Sequence, residues 1–361
     1  MKKKHIDYFL FISVIIISIF GIIMIYSASS IWAEFKYQDA FKYVKQQGLF
    51  FLVGILVMIF SSKISLNFLK RKANLILIGC FLLLILVLIP GIGSIRNGSR
   101  SWFGIGGLGI QPSEFAKLGL IIFTAKYLAS NQKNMRDVKK GALPIFLVIG
   151  IFFLLIMLEP DFGTAMVIAL TLIALIFISG LKISFFIKLG ILGLAGIVGL
   201  IVVAPYRMAR IISFLNPWSD PLGSGYQIIQ SLYAIGPGGL LGQGFLNSRQ
   251  KHFYLPEPQT DFIFSIISEE FGFLGVVIVC SFFFFIFYRM LRIALRSNDL
   301  FQKYLVFGLA FGIFIQAALN LAVVVGLIPV TGVTLPFFSY GGSSLLISML
   351  SVGLALNVSR K

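Results

Sequence analysis

The stretch FLFISVIIISIFGIIMIYSAS, residues 9–29, decides the fold class. It carries no charge and matches the roughly 20 residues a helix needs to cross the hydrocarbon core of a bilayer. Lys2, Lys3 and Lys4 precede it, and no small-residue cleavage site follows. It is therefore expected to be a first membrane helix rather than a removed signal peptide. Working outward, nine further apolar runs have the same character: 47–61, 73–90, 113–130, 142–158, 162–180, 184–204, 262–287, 301–326 and 342–357. The expectation is an all-α polytopic membrane protein with ten transmembrane helices, forming one membrane domain over residues 1–361.

Composition agrees. Of the 361 residues 58% are hydrophobic and 12% charged, and mean hydropathy is +0.98. A soluble domain is nearer half apolar and a quarter charged, and a disordered chain is poorer still in apolar residues. Both classes are excluded. The net charge of +17 would suggest nucleic acid in a soluble protein, but the basic residues sit in short inter-helix loops and no nucleic-acid motif is present. An even number of spans puts both termini on one side. Twenty Lys and Arg fall on that side against nine on the other, so both termini are expected in the cytoplasm. Cys80 and Cys280 lie in apolar runs and read as small core residues, without disulfide or metal.

The outer loops are long: about 30–46, 91–112 and 205–261. The last, between helices 7 and 8, is rich in Gly, Pro and aromatics and is expected to be a large, ordered extracytoplasmic loop. Within 91–112, GIGGLG (104–109) has dinucleotide-loop spacing but no βαβ context, so a flexible hairpin is the better reading.

Three places gather ionisable groups. Glu114 and Lys117, in QPSEFAKL (111–118), share a helix face where a loop enters the fourth span. They form either a structural ion pair or the lining of a functional cavity, the usual setting of intramembrane charge. Glu159 and Asp161 flank Pro160 at a tight outer turn, where Asp161 could simply cap the sixth helix. Asp261 begins the eighth span beside Phe262, Ile263 and Phe264, with Ser265 and Ser268 at helical spacing from it. It is either another N-cap or a half-withdrawn carboxylate of raised pKa, suited to general-base work. On the loop before it, Gln227, Gln230 and Ser231 make a polar stripe, and Arg249 and Lys251 offer cations for an anionic group.

The sequence resembles the SEDS family (shape, elongation, division and sporulation proteins) over nearly its whole length. The matching runs are MIYSASS (24–30), NGSRSWFGIGGLGIQPSEFAKL (97–118), EPDFGTA (159–165), the stretch 216–275 and LIPVTGVTLPFFSYGGSSLL (327–346). NPWSDPLGSGYQ, SRQKHFYLPEPQTDFIF and VTGVTLPF look more like the FtsW/SpoVE branch than the RodA branch. Gln259 stands where many members have His, so no essential acid–base His acts there.

The resemblance implies a ten-helix glycosyltransferase of the bacterial cytoplasmic membrane that polymerises lipid II into peptidoglycan, serving the division, elongation or sporulation machinery. It implies Asp261 as the essential carboxylate, and Glu114, Lys117, Arg100 and Trp102 as cavity residues. It also implies a class B penicillin-binding protein as partner. The chemistry is consistent. A base must deprotonate the acceptor sugar of a lipid-linked glycan, and positive charge must meet the departing pyrophosphate. Arg100, Lys117, Arg249, Lys251 or a divalent cation (Mg or Mn, held by Asp261 or Glu114) would supply that charge. An α-linked donor giving a β-linked product means inversion by one displacement. The rival reading is a lipid II flippase, for which polar residues are expected at full membrane depth.

Overall fold

The computed structural model describes residues 6–360 apart from 97, 105–108, 204–207, 209–211 and 213. Most of the GIGGLG segment and the start of the 205–261 loop, with Arg207 and Arg210, lie outside the described residues. Eleven α-helices are present among those described: α1 Tyr8–Tyr37, α2 Lys42–Ser61, α3 Leu66–Leu88, α4 Pro112–Asn131, α5 Leu143–Leu158, α6 Phe162–Phe177, α7 Ile183–Val203, α8 Tyr226–Ile235, α9 Ile263–Arg296, α10 Leu300–Val324 and α11 Gly342–Ser359. Each expected span falls on one helix. Among the described residues seven helical segments are long and apolar enough to cross a membrane, and α6 and part of α7 are shorter apolar helices. The protein is a multi-pass membrane protein. α4 is less apolar than these because it carries Glu114, Lys117 and Lys126.

The helix ends depart from the apolar runs for local reasons. α3 starts at Leu66, well before its apolar run, because the Ser65 side chain accepts from the Phe68 N–H. α9 continues to Arg296, since its basic last turns are helical although polar, and it breaks at Gly272 (φ 61°, ψ −156°). The all-α expectation needs one correction. β1 Ser94–Arg96 and β2 Ser99–Trp102 form an antiparallel hairpin. Gly98, at φ 81°, lies between the strands, and the hairpin carries too few apolar residues to register as periodic strands.

α10 lies in the middle, packed against α4, α6, α9 and α11, while α2 and α11 form the most extensive pair. That pair is close because Gly353 has no side chain: a Cβ there would stand 2.4 Å from the Met58 carbonyl oxygen. α7 sits outside, with Ile183, Ile191 and Leu194 each 65% exposed. At one end of the bundle Asp7 caps α1 through the Leu10 N–H at 3.0 Å and receives the Arg289 guanidinium at 2.6 Å, while its own N–H donates to the Ser359 hydroxyl at 3.2 Å. The two ends of the described chain therefore meet on one side. The site lies at the opposite ends of the helices.

Candidate active site

α4 begins at Pro112, where the missing N–H costs nothing. Its first turns bury Glu114 and Lys117, 4% and 7% exposed. The Lys117 ammonium donates to Glu114 Oε2 at 2.6 Å and to Gln316 Oε1, from α10, at 2.5 Å. The Gln316 amide N–H groups donate to the Thr334 carbonyl at 3.1 Å and the Ser344 hydroxyl at 3.2 Å. Beside this cluster is a cavity of about 30 Å³ lined by Gln111, Glu114, Lys117, Thr164, Gln316 and Thr334. It has room for about two waters.

The tight turn closes the cavity from the α6 side. Asp161 does cap α6, accepting from the Thr164 N–H at 3.1 Å. Its other oxygen accepts from the Gln111 amide at 2.9 Å and the Ser113 hydroxyl at 3.3 Å, tying α4 to α6. Burial pushes its pKa up against the opposing pull of the Thr164 hydrogen bonds, and Glu114 adds to the rise. Glu159 is fully buried, and neither carboxyl oxygen has a hydrogen-bond partner among the described residues. Burial, and then the neighbouring Asp161, raise its pKa to about 9. The Glu159 carbonyl accepts from the Ser99 hydroxyl, which docks the hairpin bearing Arg100 and Trp102 onto this turn.

Asp261 does not cap α9. The N-cap is Phe262, without a side-chain hydrogen bond, and the helix starts at Ile263. Neither Ser265 nor Ser268 gives its hydroxyl to Asp261. Ser265 pairs with Ser231 of α8 at 2.8 Å, and Ser268 donates to the Phe264 carbonyl. Asp261 is held by its backbone instead: its carbonyl accepts from the Asn320 amide at 2.7 Å, and the same amide donates to the Val333 carbonyl at 2.7 Å. Gly332, at φ 74°, lays bare backbone against the carboxylate; a Cβ there would stand 3.7 Å from Asp261 Oδ2. The pKa of Asp261 is raised to about 6, first by burial, then by the negative charges of Glu257 and Asp161.

Lys251 and Arg249 belong to a second cluster. The Lys251 ammonium is buried and paired with Glu270 at 3.1 Å, and Glu270 also accepts from Ser27 of α1 at 2.5 Å. Lys251 is thus committed within the protein rather than presented as a free cation. Glu269 accepts from the Ser248 hydroxyl at 2.6 Å and the Arg249 N–H at 2.7 Å, pinning the loop while the Arg249 side chain stays exposed. Gln227 and Gln230 are half-buried on α8.

The structure thus brings Glu114, Lys117, Asp161 and Asp261 to one region, with the Glu159 turn and the hairpin beside it. Gln316 and Asn320 were not anticipated. Their signal was available as two amides four residues apart in the apolar run FGIFIQAALNLAVV (311–324).

A bundle of membrane helices with a buried cation and several carboxylates gathered at one end around a small polar cavity defines a polytopic membrane protein with a polar site at one end. The family model that matches, for the FtsW/RodA/SpoVE "Cell cycle protein" family, covers residues 7–361, and the chain belongs to that family. It is 51% identical over 359 residues to stage V sporulation protein E of Bacillus subtilis (strain 168), covering 99% of this chain and 98% of that one. It is 41% identical over 355 residues to the probable peptidoglycan glycosyltransferase FtsW of Geobacter sp. (strain M18), covering 98% and 97%. Among solved structures it superimposes with a TM-score of 0.80 and 33% identity on a chain from work described as structural coordination of polymerization and crosslinking by a peptidoglycan synthase complex, covering 98% of each chain. The rod shape determining protein RodA of Thermus thermophilus matches with a TM-score of 0.73 and 30% identity, covering 98% of this chain and 97% of that one.

Proposed function

We propose that this protein is a peptidoglycan glycosyltransferase that polymerises lipid II at the outer face of the cytoplasmic membrane. The observation that carries the reading is the state of Asp261. Its carboxylate is not spent on capping, is partly buried, and has a pKa raised to about 6. At neutral pH it is ionised yet more basic than an ordinary carboxylate, which suits removal of a proton from the acceptor sugar hydroxyl. The Lys117 ammonium, aimed at the cavity beside Glu114, suits the charge that develops on the departing pyrophosphate. Arg100 on the docked hairpin and the exposed Arg249 would extend this positive field.

Among the described residues no three His, Cys, Asp or Glu side chains converge on a metal position. An Mg or Mn ion at Asp261 or Glu114 would take one or two carboxylates and complete its shell with substrate phosphate and water, as Mg commonly does. It would add positive charge at the leaving group.

The whole chain forms one membrane domain with ten spans and both termini in the cytoplasm, and 205–261 is its extracytoplasmic loop. The meeting of Asp7 with Arg289 and Ser359 and the basic loops support this orientation. The partner is a class B penicillin-binding protein that crosslinks the new strand. The transport reading would draw on a small cavity of about 10 Å³ that runs below Lys117 past Gln316 to Ser348 and Ser351; against it, Ser351 and Asn357 spend their hydrogen bonds on backbone carbonyls. Polymerisation of labelled lipid II by the purified protein, with and without a penicillin-binding protein and divalent cations, tests the proposal. Glycan chains are the expected product, and lipid scrambling without chains would contradict it.

A further inference from the structure

Asn320 stands in the outer turns of α10 and is 1% exposed. A primary amide in an apolar helix is costly unless its hydrogen bonds are made. The Nδ2 group has two N–H donors. One goes to the Asp261 carbonyl and one to the Val333 carbonyl, both at 2.7 Å. No donor is left for substrate. The Oδ1 atom has no partner among the described residues. The amide can take only this orientation, because a flip would aim its oxygen at two carbonyl oxygens.

Gln316 lies one turn earlier on the same face of α10. It takes the next residue of the same loop, Thr334, and accepts from Lys117. Two side-chain amides therefore fasten adjacent loop residues: Gln316 links Thr334 to the cation cluster, and Asn320 links Val333 to Asp261. Four helical residues, about 6 Å of rise, space the two attachments. Such a rigid spacer suits a reaction that removes a proton at one end while negative charge grows at the other.

We infer that Asn320 is a positioning residue for Asp261, setting the carboxylate against the Gly332 backbone and in register with the Lys117–Gln316 cluster. This rests on the reading of Asp261 as the base. The charged groups facing Asp261 are Glu257 from its own loop and Asp161 from the start of α6. The 331–334 segment and residues 316–324 of α10 carry no titratable side chain.

The test uses the purified full chain with its penicillin-binding partner, labelled lipid II as substrate, and the variants Asn320→Ala, Asn320→Ser and Asp261→Asn. Apparent melting temperatures identify the folded variants. Asn320→Ala is expected to lose about 10- to 100-fold in kcat, the scale of a misplaced catalytic group, with KM within about 2-fold, since both donors are spent on backbone and the residue is buried. Asn320→Ser keeps one donor and should fall between the two, and it carries the test alone where the alanine variant does not fold. A folded variant with wild-type kcat, or a loss confined to KM, would overturn the inference. Wild-type activity in Asp261→Asn would remove the base assignment itself. An inactive Asp261→Asn beside unaffected Asn320 variants would overturn the positioning role alone.

Discussion

The Lys251 ammonium and the Glu270 carboxylate meet at 3.1 Å with side-chain exposures of 3% and 0%. Removing one partner of such a pair strands a buried charge and costs about 3–5 kcal/mol, whereas replacing both with neutral groups of similar volume is far milder. Lys251→Met should sharply lower the melting temperature, and Lys251→Met with Glu270→Gln should recover much of it. The KM for lipid II of whatever folds should not change. Thermal melts and kinetics on the three proteins check this; a stable Lys251→Met protein with a raised KM would return Lys251 to the substrate.

Exchanging Glu114 and Lys117 should give a folded, inserted and inactive protein. A self-contained pair would tolerate the exchange. Here, however, Lys117 also binds Gln316 at 2.5 Å and lines the cavity, and a lysine at 114 starts one turn away from that partner. Activity close to wild type in the exchanged variant would make the pair structural.

Glu159 should make the protein less stable as pH rises. Its folded pKa, about 9, lies above its ordinary value of 4.5, so the folded state holds the proton more tightly than the unfolded state does. The contribution is fully present below about pH 4.5 and is lost progressively toward pH 9. Glu159→Gln keeps the shape and abolishes the titration. Apparent melting temperatures across this window should fall more steeply for the wild type than for the variant, and equal slopes would contradict the buried, neutral Glu159.

The orientation is open to cysteine labelling. Ser224 and Asn134 are both exposed, one in the 205–261 loop and one between α4 and α5. An impermeant maleimide added outside should modify Ser224→Cys and spare Asn134→Cys. The opposite pattern would place the proposed chemistry on the wrong side of the membrane.

Much of this was legible in the sequence, and the physics explains where it stopped. Apolar length placed a helix under each expected span, because lipid forces backbone groups to pair within each segment. Glu114, Lys117, Asp161 and Asp261 stood out because charge next to an apolar run is expensive. The burial of Lys251 was not legible, because a lysine in a polar loop looks solvated. Its burial depends on Glu270 and Ser27, which lie 19 and 224 residues away in sequence. Gln316 and Asn320 passed unnoticed because an uncharged amide barely perturbs hydropathy, and their importance lies in a loop that only the fold brings to them. The hairpin escaped because its register rests on turn geometry and on docking to the Glu159 turn.

The central claim is that Asp261 takes the proton from the acceptor sugar. Asp261→Asn keeps the side chain's size, and the native carboxylate caps no helix, so folding should be preserved. The decisive measurement is the rate of lipid II polymerisation by purified, partnered Asp261→Asn, with its melting temperature taken alongside. The account predicts a wild-type melting temperature and a rate lowered by about 10²–10⁴. In the wild type, activity should fall away as pH drops through about 6. A well-folded Asp261→Asn that polymerises at close to the wild-type rate would contradict the account.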